Sequence, residues 1–132
     1  MRRRDDGAAV VDFVLISVLL IFLLFGVLQV AVYFYARNVA AASAADAARY
    51  AAAEGVDPGQ GRQRAQELLR QGLDDRDAEA IRCTSGVSRD PRSGLPTVQV
   101  HCAGHVRLLF TPLGVPLPID VTAAVLREET PR

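Results

Sequence analysis

Residues 13–36 read FVLISVLLIFLLFGVLQVAVYFYA, and no charged residue occurs between Asp12 and Arg37. As an α-helix this stretch is about 36 Å long, slightly more than the ~30 Å hydrocarbon core of a bilayer. Ser17 and Gln29 are the only clearly polar residues within it. The stretch therefore predicts one membrane-spanning helix near the N-terminus.

The residues that flank this span predict its orientation. Arg2, Arg3 and Arg4 precede it, and basic residues next to a span are retained on the cytoplasmic side. Tyr33 and Tyr35 lie at the other end, where aromatic rings favour the membrane interface. We expect a single-pass protein with a cytoplasmic N-terminus and an extracytoplasmic C-terminal domain.

The alternative to a retained span is a cleaved secretory signal peptide. The apolar region of such a peptide is about 7–15 residues long, and this one is much longer. A small-residue cleavage pattern does occur at Ala42-Ser43-Ala44, but residues 40–53 are rich in alanine throughout. Such matches then arise by chance, and length favours the uncleaved span.

The helix is predicted to continue beyond the membrane. Residues 36–54 contain neither Pro nor Gly, and alanine is the strongest helix former. Gly55 and Asp57-Pro58-Gly59 then provide a stop signal. We expect one helix from about Ala9 to Glu54. The small side chains either allow a helix or sheet to approach closely, or form a simple stalk.

Residues 55–132 are predicted to form a small α+β domain. A flexible joint at 59–61 and a helix at 62–73 come first, followed by strand-like alternation on both sides of the turn cluster DPRSG at 90–94. A second hairpin is expected around the apolar, proline-rich loop 111–118, which either contacts a partner or folds back on the domain. Gly104 is expected to form a bend or bulge. The alternating residues of the second hairpin are Val106, Leu108, Phe110, Ile119, Val121, Ala123 and Val125.

The fold class that follows is α+β and pilin-like, with a long N-terminal transmembrane helix, a short helix and a 3–4-stranded antiparallel β-meander. Its sheet is expected to pack its apolar face on the long helix. The predicted organisation is a leader at 1–7, the long helix at 8–54 with the span at about 13–36, and the extracytoplasmic domain at 55–132.

The register of the first hairpin brings its two cysteines together. A turn centred between Arg92 and Ser93 places Cys83 directly opposite Cys102 and matches the apolar positions of the two strands. Directly opposed residues have Cβ atoms about 4.5–5.5 Å apart, near the separation that a disulfide needs. We predict a disulfide, with two buried free thiols as the alternative. A metal site is less favoured, because two lone cysteines near His101 match no zinc pattern.

No catalytic signature is present. The sequence lacks G-x-S-x-G, H-E-x-x-H, Walker and G-x-G-x-x-G motifs. The acidic positions in 74–79 are interrupted by Arg76 and are expected to form a solvated surface. With 15 basic and 15 acidic residues the formal net charge is zero, which does not favour a nucleic-acid partner. We expect no enzyme activity and no cofactor.

The N-terminus carries a more informative pattern. RRRDDG at residues 2–7 is followed by AAVVDF at 8–13 and then by the apolar run. This resembles the class III signal of type IV pilins, in which a short charged leader ends in Gly and precedes an apolar stretch with an acid at its fifth position. Counted from Ala8, Asp12 is fifth and Phe13 is sixth. By itself Asp12 also fits a helix cap or a headgroup position.

More narrowly, the first 54 residues resemble the TadE family of minor pilins or pseudopilins of Tad (Flp) pilus systems. They share with that family an aromatic-then-Arg exit, Tyr35-Ala36-Arg37, and a later Ala48-Arg49-Tyr50-Ala51 segment. The family's usual fifth residue is Glu, and this chain has Asp12 instead. Asp keeps the charge but is one methylene shorter.

The resemblance implies a minor pilin or pilus-assembly protein, cut by a prepilin peptidase between Gly7 and Ala8. Asp12 and Phe13 are implied as recognition and assembly residues. The implied partners are other pilin-like subunits, contacted through the apolar helix and the alanine tract, and Tad membrane assembly proteins. The competing hypothesis is an unprocessed, membrane-anchored domain that binds an extracellular ligand or an envelope protein.

Overall fold

A computed structural model describes residues 5–107 and 116–127 of the chain. These residues form a long helix, two short helices and one sheet, which confirms the predicted α+β class. In chain order the elements are α1 (Asp5–Ala52), α2 (Gln60–Gly72), α3 (Asp75–Ala80), β1 (Ile81–Arg89), β2 (Pro96–Arg107) and β3 (Pro116–Leu126).

Helix α1 already includes Asp5, earlier than the start expected near Ala9, and it ends at Ala52 rather than Glu54. Gly55 follows the helix with φ of 80°, a conformation that glycine adopts without strain.

The three strands form an antiparallel meander in the order β1-β2-β3. The predicted register of the first hairpin is confirmed, because Cys83 pairs with Cys102 and Val87 with Val98. The turn between them is closed by the Asp90 N–H donating to the Leu95 carbonyl oxygen at 3.0 Å.

The bulge expected at Gly104 is wrong. Gly104 pairs in unbroken register with Ile81 on one side and Ile119 on the other. A Cβ at this position would lie 2.6 Å from the Ile81 Cα and would also meet the carbonyl oxygen of Ala80. Glycine is therefore required because two backbones approach closely, which is the other common reason for glycine within a strand.

The second hairpin differs from its prediction at the start of β3. Pro116 and Pro118 were assigned to the loop, but they belong to β3 and pair with Arg107 and His105. Proline is tolerated there because β3 is an edge strand of the described sheet. The expected strand positions Leu108 and Phe110, and most of the expected loop, lie outside the described residues.

The hydrophobic core lies between the inner face of the sheet and one stripe of α1. The sheet contributes branched side chains such as Val100, Val106 and Ile119, all at most 1% exposed. The helix contributes alanines at helical spacing, which allow the sheet to approach the helix axis. The buried alanines of this stripe are Ala36, Ala40, Ala44, Ala47, Ala48, Ala51 and Ala52.

Helix α2 covers the same part of α1 from the side. Gly61, expected in a flexible joint, is instead a buried residue of α2. A Cβ on Gly61 would lie 3.0 Å from that of Ala51 and would also meet the Ser85 hydroxyl. The joint prediction is wrong because this glycine serves close helix packing.

The short helix α3 was not predicted. The acidic stretch was interpreted only as a solvated surface, but Asp74 caps α3, since its carboxylate accepts a hydrogen bond from the Asp77 N–H at 3.0 Å. Aspartate is a preferred residue at this cap position. The missed signal was an aspartate followed by a short run of helix formers.

Candidate functional site

The N-terminal half of α1 projects beyond the domain with its side chains uncovered. Large apolar residues are exposed on all sides of this segment, with Phe13 and Phe22 both at 71% exposure. Among the described residues one helix is long and apolar enough to cross a membrane, and none of its most apolar window is buried. A helix that is apolar all round is stable only in lipid or against other apolar surfaces.

The residues implied by the leader motif all lie at the start of this uncovered helix. Gly7, Ala8, Asp12 and Phe13 are all exposed. Asp12 is one turn from Ala8, at about 6 Å along the axis. The structure brings these four residues together on one short segment and leaves them accessible to another protein.

Gly7 is not required for packing against any of the described residues. A Cβ at this position would meet no atom within 4 Å. In the interior of a helix, glycine costs about 1 kcal/mol relative to alanine. The fold of the chain therefore provides no reason for glycine at this position.

Two polar side chains in the apolar segment differ in their hydrogen bonding. The Ser17 hydroxyl donates to the carbonyl oxygen of Phe13 at 2.8 Å, within the same helix. A serine within an apolar helix commonly donates in this way to the carbonyl oxygen four residues earlier. The side-chain amide of Gln29 has both polar atoms buried and bonds to none of the described residues.

The domain is fixed to α1 at the end of the apolar segment. The Tyr33 hydroxyl donates to the carbonyl oxygen of Pro118 in β3 at 3.1 Å. The Tyr35 hydroxyl donates to the carbonyl oxygen of Gly72, the last residue of α2, at 3.0 Å. Both tyrosines were expected only as interfacial residues, and the structure adds that each is bonded to the domain.

The disulfide predicted between Cys83 and Cys102 is present in the structure, with the Cα atoms 4.1 Å apart. Both cysteines are buried, at 4% and 0% exposure, in the core that packs on α1. The bond therefore links two strands at the point where the sheet contacts the helix.

One face of the alanine tract is already occupied by the protein's own domain. Ala44, Ala47 and Ala48 are completely buried, whereas Ala41 and Ala42 remain exposed. The apolar segment and the outward face of the alanine tract are therefore left uncovered by the domain.

A side-chain contact between two neighbouring strands was not predicted from the sequence. The His101 Nε2 atom lies 2.9 Å from the Asp120 Oδ1 atom on the neighbouring strand. This contact could be predicted from the alternation of side chains along the two strands only after their register was known. Among residues 5–107 and 116–127, no group of three or more His, Cys, Asp or Glu side chains could hold a metal ion.

Two carboxyl groups with shifted pKa values have structural roles. Burial, reinforced by the nearby Asp74 charge, raises the pKa of Asp77 above its ordinary value. The Arg92 N–H, which donates to the carboxylate at 2.7 Å, lowers the pKa of Asp90. The first belongs to a capped helix and the second to a turn, so neither shift indicates a catalytic pair.

Comparison with known families agrees with this geometry. The family model described as TadE-like protein matches residues 7–49, which confirms the resemblance seen in the sequence. The matched segment contains the uncovered apolar helix, Asp12 and most of the buried alanine stripe. No curated protein and no solved structure matches the chain.

Proposed function

From the premise that residues 7–49 are TadE-like, we propose that this Tad pilus-associated protein is a minor pilin or pilus-assembly protein. Helix α1 holds the precursor in the membrane, with the N-terminus in the cytoplasm and the domain outside. A prepilin peptidase then cuts between Gly7 and Ala8. The role is structural rather than enzymatic, and its partners are other pilin-like subunits and Tad membrane assembly proteins.

The observation that carries this proposal is the division of α1 into two parts. From Ala36 onward one stripe of the helix is buried under the domain, whereas the large apolar side chains of residues 10–28 are exposed. When a helix serves only as an anchor, lipid covers its apolar surface. The same uncovered surface is available to the helices of neighbouring subunits when a subunit leaves the membrane.

Gly7 supports the processing step. The fold does not require glycine there, since a Cβ would meet nothing, and helix propensity disfavours it. Recognition of a leader that ends in glycine accounts for the residue.

Asp12 supports the assembly step. Cleavage would leave a charged amine on Ala8, one helical turn before the Asp12 carboxylate, at the edge of an apolar segment. An unpaired charge in a low-dielectric environment is expensive, and ionisable groups within membrane segments usually have a function. Pairing of the carboxylate with the amine of a neighbouring subunit would select and align incoming chains.

The disulfide supports the orientation of the domain. Cys83 and Cys102 are bonded, and disulfides persist on the extracytoplasmic side of bacterial membranes rather than in the cytoplasm. This agrees with the side that the basic residues at positions 2–4 predict by the positive-inside rule.

Complementation of a deletion strain tests the proposal. We expect the native gene to restore surface pili and the Asp12→Ala variant to fail, with equal amounts of both proteins in the membrane fraction. Ser17→Ala is the matched control, because the Ser17 hydroxyl donates to the Phe13 carbonyl oxygen of its own helix, and this variant should restore pili fully.

Two outcomes would contradict the proposal. Normal piliation of the deletion strain would show that the protein is not needed for pilus formation. Normal piliation with Asp12→Ala at normal protein levels would remove the assembly role of the carboxylate, and the hypothesis of an unprocessed anchored binding domain would then be preferred.

A further inference from the structure

A basic cleft lies between α2 and β1. Its volume is about 690 Å³. Arg62 and Arg70 line it from α2, and Arg82 lines it from β1. The amides of Gln63 and Gln71 add further hydrogen-bond donors. We call this surface, defined by Arg62, Arg70 and Arg82, the arginine cleft.

The three guanidinium groups of the arginine cleft are unpaired within the described part of the chain. The arginine ion pairs there are those of Arg64, which contacts Asp46 at 3.3 Å and Glu67 at 3.6 Å. Glu67, the one acidic residue lining the cleft, is thus bound to an arginine that is not part of it. The cleft retains an excess of positive charge.

The walls of the cleft are held in place. The Gln66 side-chain amide donates to the carbonyl oxygens of Ala78 at 2.8 Å and Ile81 at 3.3 Å, and so fixes α2 against the start of β1. Cys83, which also lines the cleft, is fixed by its disulfide to Cys102. A rigid site loses less entropy when a ligand binds.

The spacing of the arginines indicates the shape of the ligand. Arg62 and Arg70 are two turns apart on α2, which is about 12 Å along the helix axis. An extended peptide rises about 3.3 Å per residue, so acidic residues about four positions apart match this distance. Two separate carboxylates match this spacing better than one compact anion does, and Glu67 between the two arginines disfavours negative charge in the middle of the ligand.

We propose that the arginine cleft binds an extended acidic segment of a partner protein, with two carboxylates about four residues apart. Arginine suits this task because its planar guanidinium group bonds to a carboxylate through two parallel N–H groups. Glutamine amides along the same wall can bond to the peptide backbone between the two acids. This inference is independent of the proposed pilus function.

A binding measurement on the full-length protein in detergent micelles tests the proposal. The probe is a short fluorescein-labelled peptide of Ser, Val and Thr with two glutamates about four positions apart, and fluorescence anisotropy gives the Kd. We expect binding that weakens with salt, and a loss of about tenfold when both glutamates are replaced by glutamine.

Two double variants separate the cleft from general charge effects. Arg62→Glu/Arg70→Glu should weaken binding by more than tenfold, which corresponds to more than about 1.4 kcal/mol. Arg92→Glu/Arg127→Glu changes the net charge equally at exposed positions outside the cleft, and should leave the Kd within about twofold. Resistance to limited proteolysis would verify that each variant is folded.

Three results would overturn the proposal. These are no binding of the peptide by the native protein at low salt, an equal loss in both double variants, and tighter binding of polyphosphate than of the peptide. The last result would assign the cleft to anionic polymers instead.

Discussion

The hydroxyl group of Tyr33 donates a hydrogen bond to the carbonyl oxygen of Pro118, 85 positions later in the chain, at 3.1 Å. Tyr35 makes the equivalent bond to Gly72 at 3.0 Å. The two tyrosines thus connect the end of the apolar segment to the edge strand on one side and to the end of α2 on the other. The position of the domain on α1 is therefore defined where the helix is expected to leave the membrane.

Removing both hydroxyl groups should loosen the membrane-proximal end of the domain. A hydrogen bond typically contributes about 0.5–1.5 kcal/mol, so Tyr33→Phe/Tyr35→Phe should increase the rate of limited proteolysis in β3 several-fold. Tyr50→Phe is the control, because its hydroxyl bonds to the exposed Gln60 side chain at 3.3 Å and should have little effect. Equal proteolysis of all three proteins would show that the tyrosine bonds do not hold the domain.

The disulfide should be present in the protein made by its host and should stabilise the domain. Cys83 and Cys102 are 19 positions apart, and closing a loop of this size contributes about 2–4 kcal/mol in a chain-entropy estimate. Alkylation without reductant, followed by mass spectrometry, should find neither thiol labelled. Cys83→Ala/Cys102→Ala should lower the urea midpoint of the domain. Complete labelling of both thiols in the native protein would rule out the bond.

Processing should occur at the Gly7–Ala8 bond. Intact-mass analysis of the mature protein should then find a chain that begins at Ala8, and Gly7→Leu should accumulate the precursor, because a leader peptidase must accommodate the side chain at this position. Gly26→Leu is a matched control within the same helix, since a Cβ there also meets no atom within 4 Å. Mature chains that begin at Met1 in the presence of an active prepilin peptidase would reject the leader, and chains that begin near Ala44 would indicate a signal peptide.

At position 12 the negative charge should matter more than the length of the side chain. Asp12→Glu keeps the carboxylate and restores the residue usual in the family, so it should support piliation as well as the native protein or better. Asp12→Asn has nearly the same size without the charge and should be defective, because the partner's amine would be left unpaired in a low-dielectric environment. Surface pili are counted at matched membrane levels. If the Asn variant matches the Glu variant, charge pairing is not the role of this residue.

Gly104 should tolerate no side chain, whereas Gly86 should accept one. A Cβ on Gly104 would lie 2.6 Å from the Ile81 Cα, but a Cβ on Gly86 would meet nothing within 4 Å. Forcing such a contact costs about 1–3 kcal/mol, so Gly104→Ala should lower the urea midpoint of the domain. Gly86→Ala should leave it unchanged or raise it slightly, because alanine loses less entropy than glycine in a strand. Equal midpoints for the two variants would contradict the close approach.

Local patterns predicted the long helix and the first hairpin well. The uncharged run after Asp12, the alanine tract and the turn at 90–94 are all contiguous in sequence, and their periodicity is visible without knowledge of the fold. The pairing of Cys83 with Cys102 could be predicted from the sequence because the turn of a hairpin sets the register of its two strands. The functions of Gly61 and Gly104 were misjudged, since a glycine that permits close approach has the same local signature as one in a joint or a bulge.

The sequence by itself determined the α+β class, the position of the apolar helix, the TadE-like resemblance of the N-terminal segment, and the pairing of Cys83 with Cys102. Each depends on spacing along one segment or across one tight turn. Tertiary structure alone decided which face of the alanine tract is buried, how Tyr33 meets Pro118, and that three arginines from α2 and β1 line one cleft. These relationships join residues far apart in sequence, and they arise only when burial of the sheet's apolar face selects one packing arrangement on α1.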